Sequence, residues 1–433
     1  MAEPVVVPTP LTDAEKRADA GVRQAGERGG PQSEATGRRA AIGAVGTTVA
    51  CVLPVFLVGG LAVQIGADLT FSPAGLGLAV SVYFGVSALS SVPAGAAVER
   101  WGPVVTGRVA ILLAVASLLT IAALARSYAV LVLLLGVSAT ANALGQLASN
   151  AVLARQVPTG RQGVWFGAKQ SAIPAATLLA GAAVPVIALT VGWRWAFVAA
   201  AVVGLATLPL VPGDTAGPVT NRPRRDTRQM TGALVVVGLG ATLAAAAANA
   251  LGTFLVDSAV AGGAGPGTAG MILTFGGAVC VAARIGLGWA ADRRAGAQLT
   301  TIAGMLVVGA AGLVLLAVTG PAPLLIGVTL GFGLGWAWPG LMNFAVVRMY
   351  PANPAAATSI TQTGVYAGGC FGPLGLGALA AGAGYQVMWL VAGVAMLMSA
   401  ALMLAGGRMF GNRSSPVETP ASSPAGAGGG FSG

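Results

Sequence analysis

The chain has no histidine, three cysteines and little charge, with 8% of its 433 residues being Asp, Glu, Lys or Arg. Each shortage excludes something. Without histidine there is no imidazole for a metal site or for acid–base catalysis. Cys51, Cys280 and Cys370 each fall inside an apolar run, where cysteine serves as a small buried hydrophobe rather than as half of a disulfide framework. So sparse a set of charges cannot cover the surface of a soluble protein of this length. The formal charge of +10 does not indicate nucleic-acid binding, because the arginines are scattered and build no basic face. No metal and no cofactor is expected.

What the chain does have is length of apolar sequence. Its mean hydropathy is +0.81, and runs of roughly 20 apolar residues, enough to cross the hydrocarbon of a bilayer, recur along it. Spans are expected at roughly 42–65, 74–97, 103–124, 128–152, 164–189, 194–211, 231–256, 268–291, 299–319, 323–347, 356–381 and 386–406. The expected fold is therefore all-α and integral to the membrane, with about twelve transmembrane helices. Residues 1–39 and 409–433 read as polar tails without order, 40–211 and 231–408 as two six-helix bundles, and 212–230 as the linker between them.

Charge orients the spans. Arg100, Arg108, Arg155, Arg161, Arg222, Arg224, Arg225, Arg228, Arg293, Arg294 and Arg348 fall in loops on one side. Arg38, Arg39, Arg408 and Arg413 flank the terminal spans on that same side, while the opposite loops hold only Arg126 and Arg194. By the positive-inside rule both termini are expected in the cytoplasm, in a multi-pass protein of the cell membrane.

The halves repeat at a separation of about 193 residues. Gly95-Ala-Ala-Val-Glu99-Arg100 matches Gly288-Trp-Ala-Ala-Asp292-Arg293, and Asn150, Arg155, Pro158, Gln170 and Gly192 match Asn343, Arg348, Pro351, Gln362 and Gly384. One register kept over about 100 residues indicates a duplicated six-helix unit, so the two bundles should be pseudo-symmetric.

The loop after the second span, Gly95-x-x-x-Glu99-Arg100-x-Gly102, resembles the loop motif of the major facilitator superfamily, Gly-x-x-x-Asp-Arg-x-Gly-Arg. Gly288-x-x-x-Asp292-Arg293 resembles its second copy. Glu99 stands where Asp is usual, and Pro103 and Val104 stand where the Arg pair would follow. The resemblance implies a secondary transporter working by alternating access, with a small-molecule solute, a coupling ion (proton or counter-anion), and a monomer in the lipid bilayer. It implies no catalysis. The motif residues would gate. Their glycines would let helices approach closely, and their acids would pair across the domain interface at a helix end.

Cargo chemistry is read from the interior. Asp68 and Asp257 end the first and seventh spans, Glu99 and Asp292 end the second and eighth, and no acid lies deep. A cationic solute, or the commonest form of proton coupling, would want a deep carboxylate. Two cations do lie within spans. Arg284 is about 12 Å in from Asp292 at the rise of a helix, and Lys169 lies about as far from Arg161. A guanidinium fork matches a carboxylate or similar oxyanion. Arg284, with Lys169, is therefore expected to bind a small anion, its head in a central water-filled cavity opposite Lys169 or an amide of the fourth span. Bonding to helix-end carbonyls or pairing with Asp292 would occupy it otherwise, and Lys169 could snorkel to the interface.

Asn142, Gln146 and Asn150 form one stripe on the fourth span, and Asn249 with Thr253 a second on the seventh. With Gln170, Gln362, Tyr83, Tyr366, Trp336 and Trp338 they are expected to line the cavity, the alternative being bonding between helices. The run Ala283-Arg284-x-x-x-Gly288-x-x-Ala291-Asp292 resembles that of monocarboxylate and oxalate–formate carriers, which implies an Arg on a substrate carboxylate. The carboxylate that precedes it by one turn in monocarboxylate carriers is Cys280 here. Lys169-Gln170 with Pro174 and Gly181 is similar to a segment of carriers near the cyanate-transporter group. An exporter of hydrophobic drugs or metabolites is the alternative, but the fifth span has Ile173-Pro174 in place of the Gly-Pro signature of drug antiporters.

Overall fold

The structure is a computed structural model that describes residues 31–156, 162–211, 213, 232–293, 298–350 and 354–414. The polar stretches 1–30 and 214–231, the end 415–433, and the loop residues Arg161 and Arg294 lie outside the described residues, as do the side chains of Arg155 and Asp292.

Among the described residues the regular structure is helical throughout. The helices are α1 (Pro31–Gly60), α2 (Ala62–Leu69), α3 (Pro73–Trp101), α4 (Pro103–Leu124), α5 (Tyr128–Gln156), α6 (Gln162–Gln170), α7 (Ala172–Ala183), α8 (Trp193–Thr207), α9 (Gly232–Ala261), α10 (Pro266–Arg293), α11 (Gln298–Leu316), α12 (Pro321–Leu330), α13 (Trp338–Met349) and α14 (Pro354–Ser414). Eleven segments are long and apolar enough to cross a membrane, α6–α7 and α12–α13 each acting as one. The last of them, Ala357–Phe410, contains Gly384 at φ 86° and ψ 166°, which no helix accommodates.

Helix ends follow local chemistry. Pro31 opens α1, where its fixed φ suits a first turn and its missing N–H costs nothing. The nine residues before Ala40 were expected in the unordered tail, yet they are helical, because no breaker separates Pro31 from the apolar run. At the other end 409–414, also expected in an unordered tail, extend α14. Gly102 alone joins α3 to α4. It caps α3 at φ 80° and hands over to Pro103, and Thr106 Oγ returns a hydrogen bond of 2.8 Å to its carbonyl. A side chain at that φ would crowd the backbone, which gives this motif glycine a structural reason to be there.

Two spans expected to be single helices are broken. The fifth turns at Ser171 and again through a π-turn at Val184–Ala188, beside Pro185. The tenth unwinds through a π-turn at Gly331–Gly335 and restarts at Trp338. Such breaks free backbone carbonyls that an unbroken helix would consume.

The halves meet along three seams, α3 with the first part of α14, α7 with α10, and α1 with α9. Small residues make them tight. A Cβ on Gly181 would lie 2.6 Å from the Gly270 carbonyl, and one on Gly377 would lie 2.7 Å from that of Pro73. The close approach expected at Gly95 is absent. Among the described residues, a Cβ there would meet nothing within 4 Å.

The repeat is visible in the backbone. Gly192 (φ 101°) and Gly384 (φ 86°) are matched residues and both adopt a left-handed φ. Each is followed by an aromatic residue that holds an acid. Trp193 Nε1 donates to Asp68 over 3.0 Å, and the Tyr385 hydroxyl donates to Asp257. Arg194 completes the first cluster at 2.7 Å from Asp68, and Trp389 completes the second with a 2.8 Å bond to Ser258.

Candidate functional site

The site grows from the two helix breaks. Pro174 has no N–H to give to the carbonyl four residues back, which belongs to Gln170. The unwound turn of the tenth span leaves the Trp336 carbonyl facing inward, with Trp336 itself at φ −115° and ψ 0°. Arg284 of α10 takes both. Its Nε and Nη2 donate to the Trp336 carbonyl over 3.3 Å and 2.6 Å, and its Nη1 donates to the Gln170 carbonyl. One guanidinium thus ties the second half of the chain to the first. Arg284 is 3% exposed. Its described acceptors are neutral carbonyls, and Cys280, one turn earlier, is its close side-chain neighbour.

Lys169 sits one residue before Gln170 and points the other way, into the first half. Its Nζ donates to Gln146 Oε1 on α5, and the Cys51 thiol on α1 is close enough to feel its charge. It is 2% exposed, so it does not snorkel to an interface. Beyond it, Asn142 donates to Ser87 over 3.0 Å and Ser87 donates to the Ala139 carbonyl over 3.1 Å. The Tyr83 hydroxyl donates to the Cys51 carbonyl over 2.8 Å, and Tyr366, bonded to Ser91, lies within electrostatic reach of Tyr83. Asn142 Oδ1 and Trp338 Nε1 are buried with no hydrogen-bond partner among the described residues.

The sequence-derived residues therefore fall into groups. Arg284 and Gln170 meet, with Trp338 just beyond the Trp336 carbonyl. Lys169 and Gln146 meet. Tyr83 and Tyr366 form a third cluster between α3 and α14. Asn249 does not join them, since its amide donates to the Ala245 carbonyl of its own helix over 2.8 Å. Gln362 is half-buried and Asn150 exposed. The cavity at Arg284 is not the broad central one expected. It holds about 20 Å³, water-sized, and is lined by Gly167, Gln170, Arg284, Leu287, Gly288, Ala337, Gly340, Leu341 and Phe344.

Neither Asp68 nor Asp257 reaches Arg284. Asp68 is taken by Arg194 and Trp193, whose hydrogen bonds hold its carboxyl below the ordinary 3.8. Asp257 is taken by Tyr385. At the motif, Glu99 and Arg100 stand exposed, Arg293 stacks 3.8 Å over the Trp289 ring, and Gly288 packs near Gly167.

The residues that sequence reasoning missed are acceptors. The Gln170 and Trp336 carbonyls carry no side-chain signature, although Pro174 marked the first of them. Cys51 had been read only as an apolar filler.

No individual curated protein matches the chain. Residues 41–373 match the Major Facilitator Superfamily, a stretch that takes in the helix breaks, both motif copies and Arg284. With its many apolar helices and that match over most of its length, the chain belongs to the Major Facilitator Superfamily and is a multi-pass membrane transporter.

Proposed function

We propose that the protein is a secondary active carrier of a small anion, working by alternating access between two six-helix bundles. The break at Gly384 supports reading the final 54-residue segment as two spans, twelve in all. At ~1.5 Å per residue that segment would reach ~80 Å as one helix, against a hydrocarbon core of ~30 Å. The arginine distribution supports both termini in the cytoplasm, with the carrier in the cell membrane.

The anion reading is carried by Arg284. A buried guanidinium bonded to neutral carbonyls and beside the Cys280 thiol has no compensating charge among the described residues, at a cost of at least a few kcal/mol. An oxyanion arriving as cargo would compensate it in the geometry that the fork prefers. Binding would take Nη1 from the Gln170 carbonyl, which is a contact between the halves, so the cargo would loosen the tie that holds this conformation. Asp292 and Glu99, at the helix ends, would act as gates of the cycle.

Proteoliposomes test this with formate, acetate, oxalate and cyanate as a panel. Trans-stimulated exchange of one of these, reduced at least about tenfold in Arg284→Ala, is the expected outcome. Transport of an apolar cationic dye that Arg284→Ala leaves unchanged would instead favour an exporter.

A further inference from the structure

Of the 23 basic residues, two are lysine, Lys16 and Lys169, and the others are arginine. The one lysine within the membrane region is also 2% exposed. Arginine keeps its proton throughout the range a cell experiences, whereas a desolvated amine can release it. A chain that uses arginine almost everywhere else has, at this one enclosed position, the cation able to become neutral.

The surroundings suit both forms. The helix α6 packs against α1, α5, α10 and α13. The titratable or charged groups described on those faces are the Cys51 thiol on α1, and Arg284 with the Cys280 thiol beside it on α10. Arg38, Arg39, Arg293 and Arg348 stand exposed near helix ends, and the side chains of Glu34, Arg155 and Asp292 lie outside the described ones. Helix α5 offers an amide. Gln146 Oε1 accepts a hydrogen bond from an ammonium and from a neutral amine alike, so the contact survives the gain or loss of a proton. No carboxylate among the described residues pairs with Lys169, and nothing there pins the charge.

We propose that Lys169 is the proton-carrying group of the transport cycle. The amine lone pair takes a proton from water on one side of the membrane and returns it to water on the other, and no other bond is made or broken. The assignment deepens the anion reading, on which its coupling to cargo rests. With Arg284, an ammonium makes the interior doubly positive, and a neutral amine removes half of that charge. An entering anion then favours the protonated form, and protonation favours the anion by the same factor. Anion and proton would cross together.

Having only two lysines makes the test direct. The full-length protein is labelled with [ε-13C]lysine in nanodiscs, and Lys16→Arg assigns the two signals. The expected result is a Lys169 signal that changes between about pH 6 and about pH 8.5, while Lys16 does not titrate until near about pH 10. A Lys169 signal that tracks Lys16, or one with no transition down to about pH 5, overturns the proposal. This titration needs no cargo, so its failure leaves the anion reading standing. A titrating amine in a protein that exchanges no panel anion leaves the proton site and removes the anion. With an anion that the wild type exchanges, the accumulation driven by a pH gradient should fall in Lys169→Arg at least about tenfold further than gradient-free exchange does in the same variant. Unchanged pH-driven accumulation in that variant also overturns the assignment.

Discussion

At the scale of single residues, the chemistry depends on which acceptor each cation meets. Arg284→Lys keeps the charge but cannot span two carbonyls as a rigid fork. The expected outcome is a folded protein whose anion exchange falls by about tenfold or more, measured beside Arg284→Ala. Gln146→Leu removes the acceptor that also serves the ammonium. The pH at which the Lys169 signal changes should drop by about one unit, because the charged form loses more than the neutral one. Asp68 works differently. Its carboxyl is held below the ordinary value by Arg194 and Trp193, so its contribution to stability is present above about pH 4 and is lost as pH falls through the depressed value. The pair is 29% and 46% exposed, so Asp68→Asn should cost less than about 1 kcal/mol at neutral pH and nothing once the wild-type carboxyl is protonated. Thermal unfolding at two pH values checks it.

At the scale of elements, the helix breaks decide what the side chains can do. The two cations and the amide stripe on the fourth span were legible in the sequence, because burial and i, i+4 spacing are sequence properties. Helix-end carbonyls were one foreseeable kind of partner for Arg284, but which carbonyls it would meet was not legible. A backbone carbonyl exists at every residue, and only the local break makes one available. Pro174 was the visible sign, since its missing N–H orphans Gln170. Pro174→Ala should restore that N–H and let the fifth span satisfy its own carbonyl. Replacing an interior proline normally stabilises a helix by up to about 3 kcal/mol. Here the gain should be smaller, because Arg284 loses an acceptor, and exchange should fall. A double-mutant cycle with Arg284→Ala should show coupling of about 0.5–3 kcal/mol. Additive effects would mean that the proline and the arginine act separately.

At the scale of the whole molecule, the proposed cycle requires two halves that separate and rejoin. The seam between α3 and α14 is closed by Gly77 against Pro373 and Gly377, with Cys370 near Gly85 further along. In Gly77→Val the new side chain would overlap the Pro373 carbonyl, so the seam cannot shut. The expected result is a folded protein that no longer cycles, in which Cys370 reacts with a maleimide several-fold faster than in the wild type while buried Cys51 and Cys280 do not.

The sequence by itself determined that the chain lives in a bilayer, that motifs recur in it about 193 residues apart, and that its spans hold cations without deep acids, because hydrophobic length, periodicity and charge count need no knowledge of distant contacts. Only the tertiary structure decided that Arg284 joins the two halves through Gln170 and Trp336, that Lys169 turns toward Gln146 and Cys51, and that among the described residues Gly95 leaves open space where a Cβ would stand. Those outcomes depend on how helices from 23 to more than a hundred residues apart in sequence are set against one another, and that register is fixed by packing along their whole length.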